Sequence, residues 1–140
     1  MNTDYCFNLA MRKSSRLITQ FYEERLSTLD LKVGQFSILR ATFFKGSTTN
    51  KELQDILVID QTTLTRNLKP LIRDGYLQLQ PDPEDGRIKN ISLSKSGKKL
   101  YLKALPIWEQ TQKEVLNKIG NKQAQAVLDM SNTFVDVFKK

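Results

Sequence analysis

Residues 49–74, TNKELQDILVIDQTTLTRNLKPLIRD, hold two helical patterns, and the second carries a cationic face. Behind Asp60, a good N-cap, Leu64, Leu68, Leu71 and Ile72 recur at three- and four-residue spacing, which predicts one buried helical face. At about 3.6 residues per turn, the opposite side presents Thr62, Arg66, Lys69 and Arg73, a hydroxyl followed by cations. Pro70 withholds a backbone donor and crowds the preceding turn, at roughly 3 kcal/mol in an uninterrupted helix, so a bend is expected there. Upstream, Thr49-Asn50-Lys51-Glu52 has capping-box spacing, and Leu53, Ile56 and Leu57 supply the apolar face of a short helix. Val58 and Ile59 connect the two. Two small helices in tight sequence, with a polar stripe on the second, make a helix-turn-helix candidate. An ordinary helical hairpin kept soluble by its charges fits the same local pattern.

The next twenty residues separate the two readings. Gly75 is a helix stop, and Tyr76 to Gln80 alternates outward Tyr76, Gln78 and Gln80 with inward Leu77 and Leu79, a half-buried strand. Pro81-Asp82-Pro83-Glu84-Asp85-Gly86 is dense in turn formers, and Arg87 to Leu93 returns as a second strand. Ile88 is out of parity with Ile91 and Leu93, which predicts a bulge. A helix pair followed by a β-ribbon is the winged form of the helix-turn-helix.

Gln61-Thr62-Thr63-Leu64-Thr65-Arg66-Asn67-Leu68, the Asp85-Gly86-Arg87 tip and the helix start from Leu93-Ser94 to Gly97 resemble MarR-family transcriptional regulators. The resemblance reaches from Cys6-Phe7-Asn8-Leu9 and Val33-Gly34-Gln35-Phe36 to the last helices, and its most specific piece is the joint spacing of recognition helix and Asp-x-Arg wing. It implies a mainly α fold with a small β-hairpin wing (α+β). Residues 1–140 would form one MarR-like domain, with a winged helix-turn-helix at 31–94 and dimerisation helices at 1–30 and 95–140.

A chain of 140 residues with 39% hydrophobic content suits one domain with its own core. No apolar run is long enough to span a bilayer, and the N-terminus lacks a charged-then-apolar leader pattern, so the expected location is cytoplasmic, with no membrane partner. A single cysteine excludes an internal disulfide, and with no histidine it argues against a structural zinc site; neither metal nor cofactor is expected. The net charge is +7, unevenly spread: residues 1–30 carry four charges of each sign, while residues 61–99 hold eight cations against four acids. That excess coincides with the recognition helix, wing and following turn, as expected for a polyanion partner.

Outside this core the sequence predicts a helix from Asp4 to about Leu29 with two apolar stripes, through Cys6, Ala10, Leu17 and Phe21 and through Phe7, Met11, Ile18, Tyr22 and Leu26. A helix from Val33 to about Phe44 closes the small core with Phe36, Leu39 and Phe43. Ser94 caps a long helix running towards Ile119, with Leu105, Trp108, Gln112, Val115 and Ile119 along one side and a bend or break at Pro106. After Gly120-Asn121, Ala124, Val127, Leu128, Ser131, Phe134, Val135 and Phe138 form a last apolar face. The two ends together hold more apolar surface than so small a core can bury, which predicts a homodimer.

Two recognition helices related by a two-fold axis enter successive major grooves when they lie about 34 Å apart, so the expected partner is double-stranded DNA carrying an inverted repeat. Thr62, Thr63 and Arg66, with Gln61 as a fourth, are placed to reach base edges, and Lys69 and Arg73 to meet phosphates. The resemblance implies that Arg87 is a minor-groove arginine oriented by Asp85, that the chain is a ligand-responsive repressor, and that a small aromatic effector binds between dimer helices and winged core. Arg16, Tyr22 and Phe36 are pocket-lining candidates. Cys6 is the candidate thiol of an alternative, redox-sensing regulator. A winged-helix interaction or architectural module without specific reading is the other alternative. An enzyme is not expected: no histidine can serve as base, and no glycine-rich phosphate loop occurs.

Overall fold

A computed structural model describes residues 5–140, so the expected helix start at Asp4 lies outside the described residues. Six helices and one hairpin follow in order: α1 Phe7–Leu26, α2 Val33–Lys45, α3 Asn50–Leu57, α4 Gln61–Arg73, β1 Leu77–Pro81, β2 Lys89–Leu93, α5 Lys95–Ile119 and α6 Asn121–Phe138. A single 3-10 turn, Ser27–Leu29, ends the first segment. α1 thus stops earlier than its apolar pattern extends. The hydroxyls of Ser27 and Thr28 donate back to the carbonyls of Glu24 and Arg25, and Asp30 takes a left-handed conformation (φ 53°) that turns the chain into α2.

The core lies where α2 is enclosed by α3, α4, β2 and the first half of α5. Phe36, Ile38, Leu39 and Thr42 are all buried, so α2 is covered over most of its circumference rather than along one side. Thr42 is accommodated because its hydroxyl donates to the Ile38 carbonyl at 2.7 Å. Leu53, Leu64, Leu68 and Leu71 close the core from α3 and α4. Ile56, expected on the buried face of α3, is exposed, because the eight-residue helix turns Leu53 and Leu57 to the body and leaves Ile56 at the edge of that face.

The hairpin is antiparallel in an unbroken register from Leu77 opposite Leu93 to Pro81 opposite Lys89. The expected bulge is absent: Ile88 lies outside the ladder, in the tip, where its backbone N–H donates to the Asp85 carbonyl. Thr48 adds a bridge on the other side of Ile91, with both N–H···O bonds made at 2.7 and 2.9 Å. β2 is therefore flanked on both sides while β1 is an edge. Ile91 is 1% exposed and Leu79, directly opposite, 43%, against the expectation that Leu79 points inward.

α5 runs unbroken through Pro106, and α4 through Pro70 to Arg73, so neither proline ends its helix. The face of α5 that enters the core is Gly97, Tyr101, Ala104 and Thr111, whereas Gln112 and Ile119 are exposed. At Gly97 a Cβ would sit 1.9 Å from the Tyr76 carbonyl oxygen, so only glycine lets the helix start this close to the strand. α1 and α6 pack on α5, but little of either is covered: Leu26 alone is buried in α1, and no residue of α6 is. Among the described residues no helix is long and apolar enough to cross a membrane.

Candidate nucleic-acid interface

α4 begins with its first turn satisfied. Asp60 Oδ1 accepts from the Thr63 N–H at 2.7 Å, and that bond, with Arg66 nearby, holds the Asp60 carboxyl below the usual carboxylate range. Burying Leu64, Leu68 and Leu71 turns Thr62, Arg66, Lys69 and Arg73 to solvent, as the spacing requires. Gln61, Thr62, Thr65, Arg66, Lys69 and Pro70 line a shallow groove along this face. Arg66 and Lys69 form no ion pair among the described residues.

The remaining predicted residues are less free. Thr63 is half-buried, and its carbonyl accepts from Asn67 Nδ2 at 3.2 Å. Gln61 bridges α3 to α4: its Oε1 accepts from Gln54 at 2.6 Å and its Nε2 donates to Thr65 Oγ1 at 3.0 Å. Arg73 forks onto Asp74, with Nε at 3.1 Å and the second nitrogen at 3.3 Å, which raises the guanidinium pKa and lowers that of the carboxyl. The end of the stripe is therefore locally neutralised. Two unpaired cations, rather than three, face outward.

The wing tip is organised by two aspartates. Asp82 Oδ1 accepts from the N–H groups of Glu84 and Asp85 at 2.8 and 3.2 Å, and these bonds hold its carboxyl below the usual range. Asp85 then takes Arg87 in a fork, Oδ1 to Nε and Oδ2 to the terminal nitrogen, both at 3.1 Å, while Oδ1 also accepts the Arg87 N–H. This pairing lowers the Asp85 pKa and raises that of Arg87. The Arg87 side chain is 91% exposed even so, its charge paired with Asp85 while the guanidinium stands in open solvent. Asp82 is a site residue that the charge and helix patterns miss, although an aspartate two residues before Glu84 in a proline-rich turn carries the Asx-turn signal.

Arg16, Tyr22 and Phe36 are not brought into one site. Arg16 is exposed on α1. Phe36 is in the core, its ring 5.7 Å from those of Tyr101 and Trp108. Tyr22 donates its hydroxyl to Gln112 beside a groove of about 360 Å³, where Ile18, Leu116, Val127 and Leu128 supply apolar walls from α1, α5 and α6. Partial burial raises the Tyr22 pKa. Cys6 is exposed just before α1, and its Sγ accepts from the Leu9 N–H at 3.5 Å as the N-cap of that helix.

The sequence model of one family, described as the MarR family, matches residues 31–89, from the turn before α2 to the first residue of β2, and so takes in the whole helix-turn-helix. The chain belongs to the MarR family. MarR-family proteins are helix-turn-helix transcriptional regulators and not enzymes. This MarR-family chain is 33% identical over 91 residues to the Bacillus subtilis HTH-type transcriptional regulator YwoH, covering 65% of this chain and 66% of that one. It is also 33% identical over 86 residues to the multiple antibiotic resistance protein MarR of Salmonella typhimurium, covering 61% and 57%. The chain thus spans from about half to two thirds of the curated relatives it matches. The crystal structure of the M. tuberculosis transcriptional regulator MOSR in complex with DNA superposes with a TM-score of 0.81 at 27% identity, covering 96% of this chain and 99% of that one.

Proposed function

We propose that this chain is a sequence-specific DNA-binding regulator that acts in the cytoplasm as a homodimer on an inverted-repeat operator, as a ligand-responsive repressor. The observation that carries this reading is the outward face of α4, where Arg66 and Lys69 stand unpaired beside exposed Thr62. These cations share one face of a helix whose other face is buried in the core, which presents them together to a groove of DNA. The forked Asp85–Arg87 tip is the second support, since a pre-oriented arginine loses little freedom on entering a minor groove. The crystallised complex of the MOSR relative with DNA is the third.

Thr62, Thr63 and Arg66 read base edges, with Gln61 a lesser reader because both ends of its amide are already engaged. Lys69 and Arg73 meet phosphates. The apolar surface left bare on α1 and α6 is the dimer interface, with Val127 55% and Leu128 60% exposed in the isolated chain. The Tyr22 groove is the site best shaped for a small aromatic effector, which would act by preferring one spacing of the two recognition helices. Redox sensing through Cys6 is the weaker reading, because among the described residues only the Leu9 N–H engages the thiol.

Selection of duplexes from a random library with the purified protein tests the proposal: an inverted repeat is expected. On the selected repeat and on random duplex, Arg66→Ala should cost about 1 to 3 kcal/mol on the repeat and relax its sequence preference, while Lys69→Ala weakens both alike and flattens the salt dependence. Equal loss on both duplexes for Arg66→Ala would remove it from base reading. A monomer at micromolar concentration, or selection of no palindrome, would sink the whole reading.

A further inference from the structure

α6 is an 18-residue helix, so it carries the chain roughly 27 Å from its junction with α5. Its far end does not hang free. Lys139, just past the helix, turns extended (φ −72°, ψ 129°) and reaches α3, 84 residues earlier in the chain. There its Nζ donates to the Asp55 carbonyl oxygen at 3.1 Å and lies 2.7 Å from the Asp55 carboxylate. The Asp55 carbonyl is one of the last four of α3, the groups that a helix end leaves without an intrahelical partner. An ammonium at this place both satisfies that acceptor and meets the negative end of the helix.

Just beyond Asp55 lies the joint between the two helices of the motif. Val58 sits in the left-handed region (φ 51°, ψ 56°), a conformation that a β-branched residue adopts only when its surroundings hold it. The N–H groups of Val58 and Ile59 both turn back to the Gln54 carbonyl, and Asp60 then caps α4. Lys139 lines the same groove as Asp55, Val58, Ile59 and Asp60.

We propose that Lys139 is a positioning residue for the recognition helix: by capping α3 it fixes the strained α3–α4 joint and ties the angle of α4 to the position of α6. This rests on the reading of α4 as the DNA-contacting helix. If α6 is part of the dimer face, the clamp also links subunit packing to the setting of α4.

The test uses the full chain with Lys139→Met, which keeps the stem and removes the ammonium, and Lys139→Arg, which keeps a donor. Hydrogen exchange should show faster exchange at Val58 and Ile59 in Lys139→Met, with Leu64 and Leu68 amides and the melting temperature unchanged, and recovery in Lys139→Arg. Affinity for the selected inverted repeat should fall about two- to five-fold in Lys139→Met, the range of one partly exposed ion pair, with a smaller loss on random duplex. Unchanged exchange at Val58 and Ile59 overturns the clamp whatever the DNA titrations show. Faster exchange with undiminished affinity, in a protein that does select the repeat, overturns its role in positioning. Faster exchange in a protein that selects no repeat leaves the clamp standing and overturns the DNA reading instead.

Discussion

The winged core and the terminal helices are built from residues of similar hydrophobicity and end in opposite states. In the core, Ile38, Leu39, Leu53 and Leu64 are all 0% exposed. On the terminal helices Phe7 is 72% exposed, Met11 47%, Leu128 60% and Phe138 68%, although each belongs to an apolar stripe of helical spacing. Periodicity marks which face of a helix wants to be covered, but not whether its own chain does the covering. Where the chain itself does so, the outward residues of the same helix are left to solvent, as on α4, and that face is the DNA-contacting surface proposed for it. Where it does not, the apolar face is itself the surface, and a second subunit is the cover proposed for it.

Four measurements would break or sharpen this contrast. Gly97→Ala should have the largest effect: its Cβ meets the Tyr76 backbone, which cannot give way as a side chain would, and about 3 kcal/mol of unfolding free energy should be lost. Thermal melting would show it, and a neutral result would mean that the α5 start is looser than its geometry. Leu128→Ala comes next, on the terminal side. A solvated leucine should cost no more than about 0.5 kcal/mol, a partner-covered one roughly 2 kcal/mol per protomer with a melting point that depends on protein concentration. The smaller, concentration-independent value would erase the distinction between self-covered core and partner-covered ends.

Thr49→Ala removes the hydroxyl that accepts the Glu52 N–H at 3.2 Å, and should cost about 1 kcal/mol in chemical denaturation. The box is only half formed, since the Glu52 carboxylate pairs with Lys45 at 2.8 Å, so Glu52→Gln should cost less than Thr49→Ala. Acid gives the smallest effect. Asp60, Asp82 and Asp85 have folded pKa values below their unfolded ones, so whatever they add is present above the unfolded range near pH 4 and is lost as pH falls through the folded values. Amide chemical shifts at Thr63, Glu84 and Arg87 should therefore each titrate below about pH 4, while those of the α2 core hold. Titration at the unfolded values would mean that these caps are open in solution.

Much of the core is legible in the sequence because it is written in local chemistry. The α4 stripe and the caps at Thr49, Asp60 and Ser94 each depend on residues within a few positions of one another, where spacing alone fixes geometry, whereas the Asp85–Arg87 pair is implied by the family resemblance. The departures share a cause. Ile56 and Leu79 belong inside by period alone, yet both are exposed, while Ile91, opposite Leu79 on the inner strand of the hairpin, is buried in the core. Arg73 is a free cation by helical face alone, yet its fork to Asp74 depends on how the helix ends rather than on the face it occupies.

Sequence by itself determined the order of elements, the winged helix-turn-helix and the identity of the outward residues on α4, since helical and strand periods and capping preferences act over a turn or two of chain. Tertiary structure alone decided which apolar faces are covered, that Gly97 must lie against Tyr76, and that Lys139 closes the end of α3. Those depend on distances between segments far apart in the chain, and no local spacing encodes a distance of that kind.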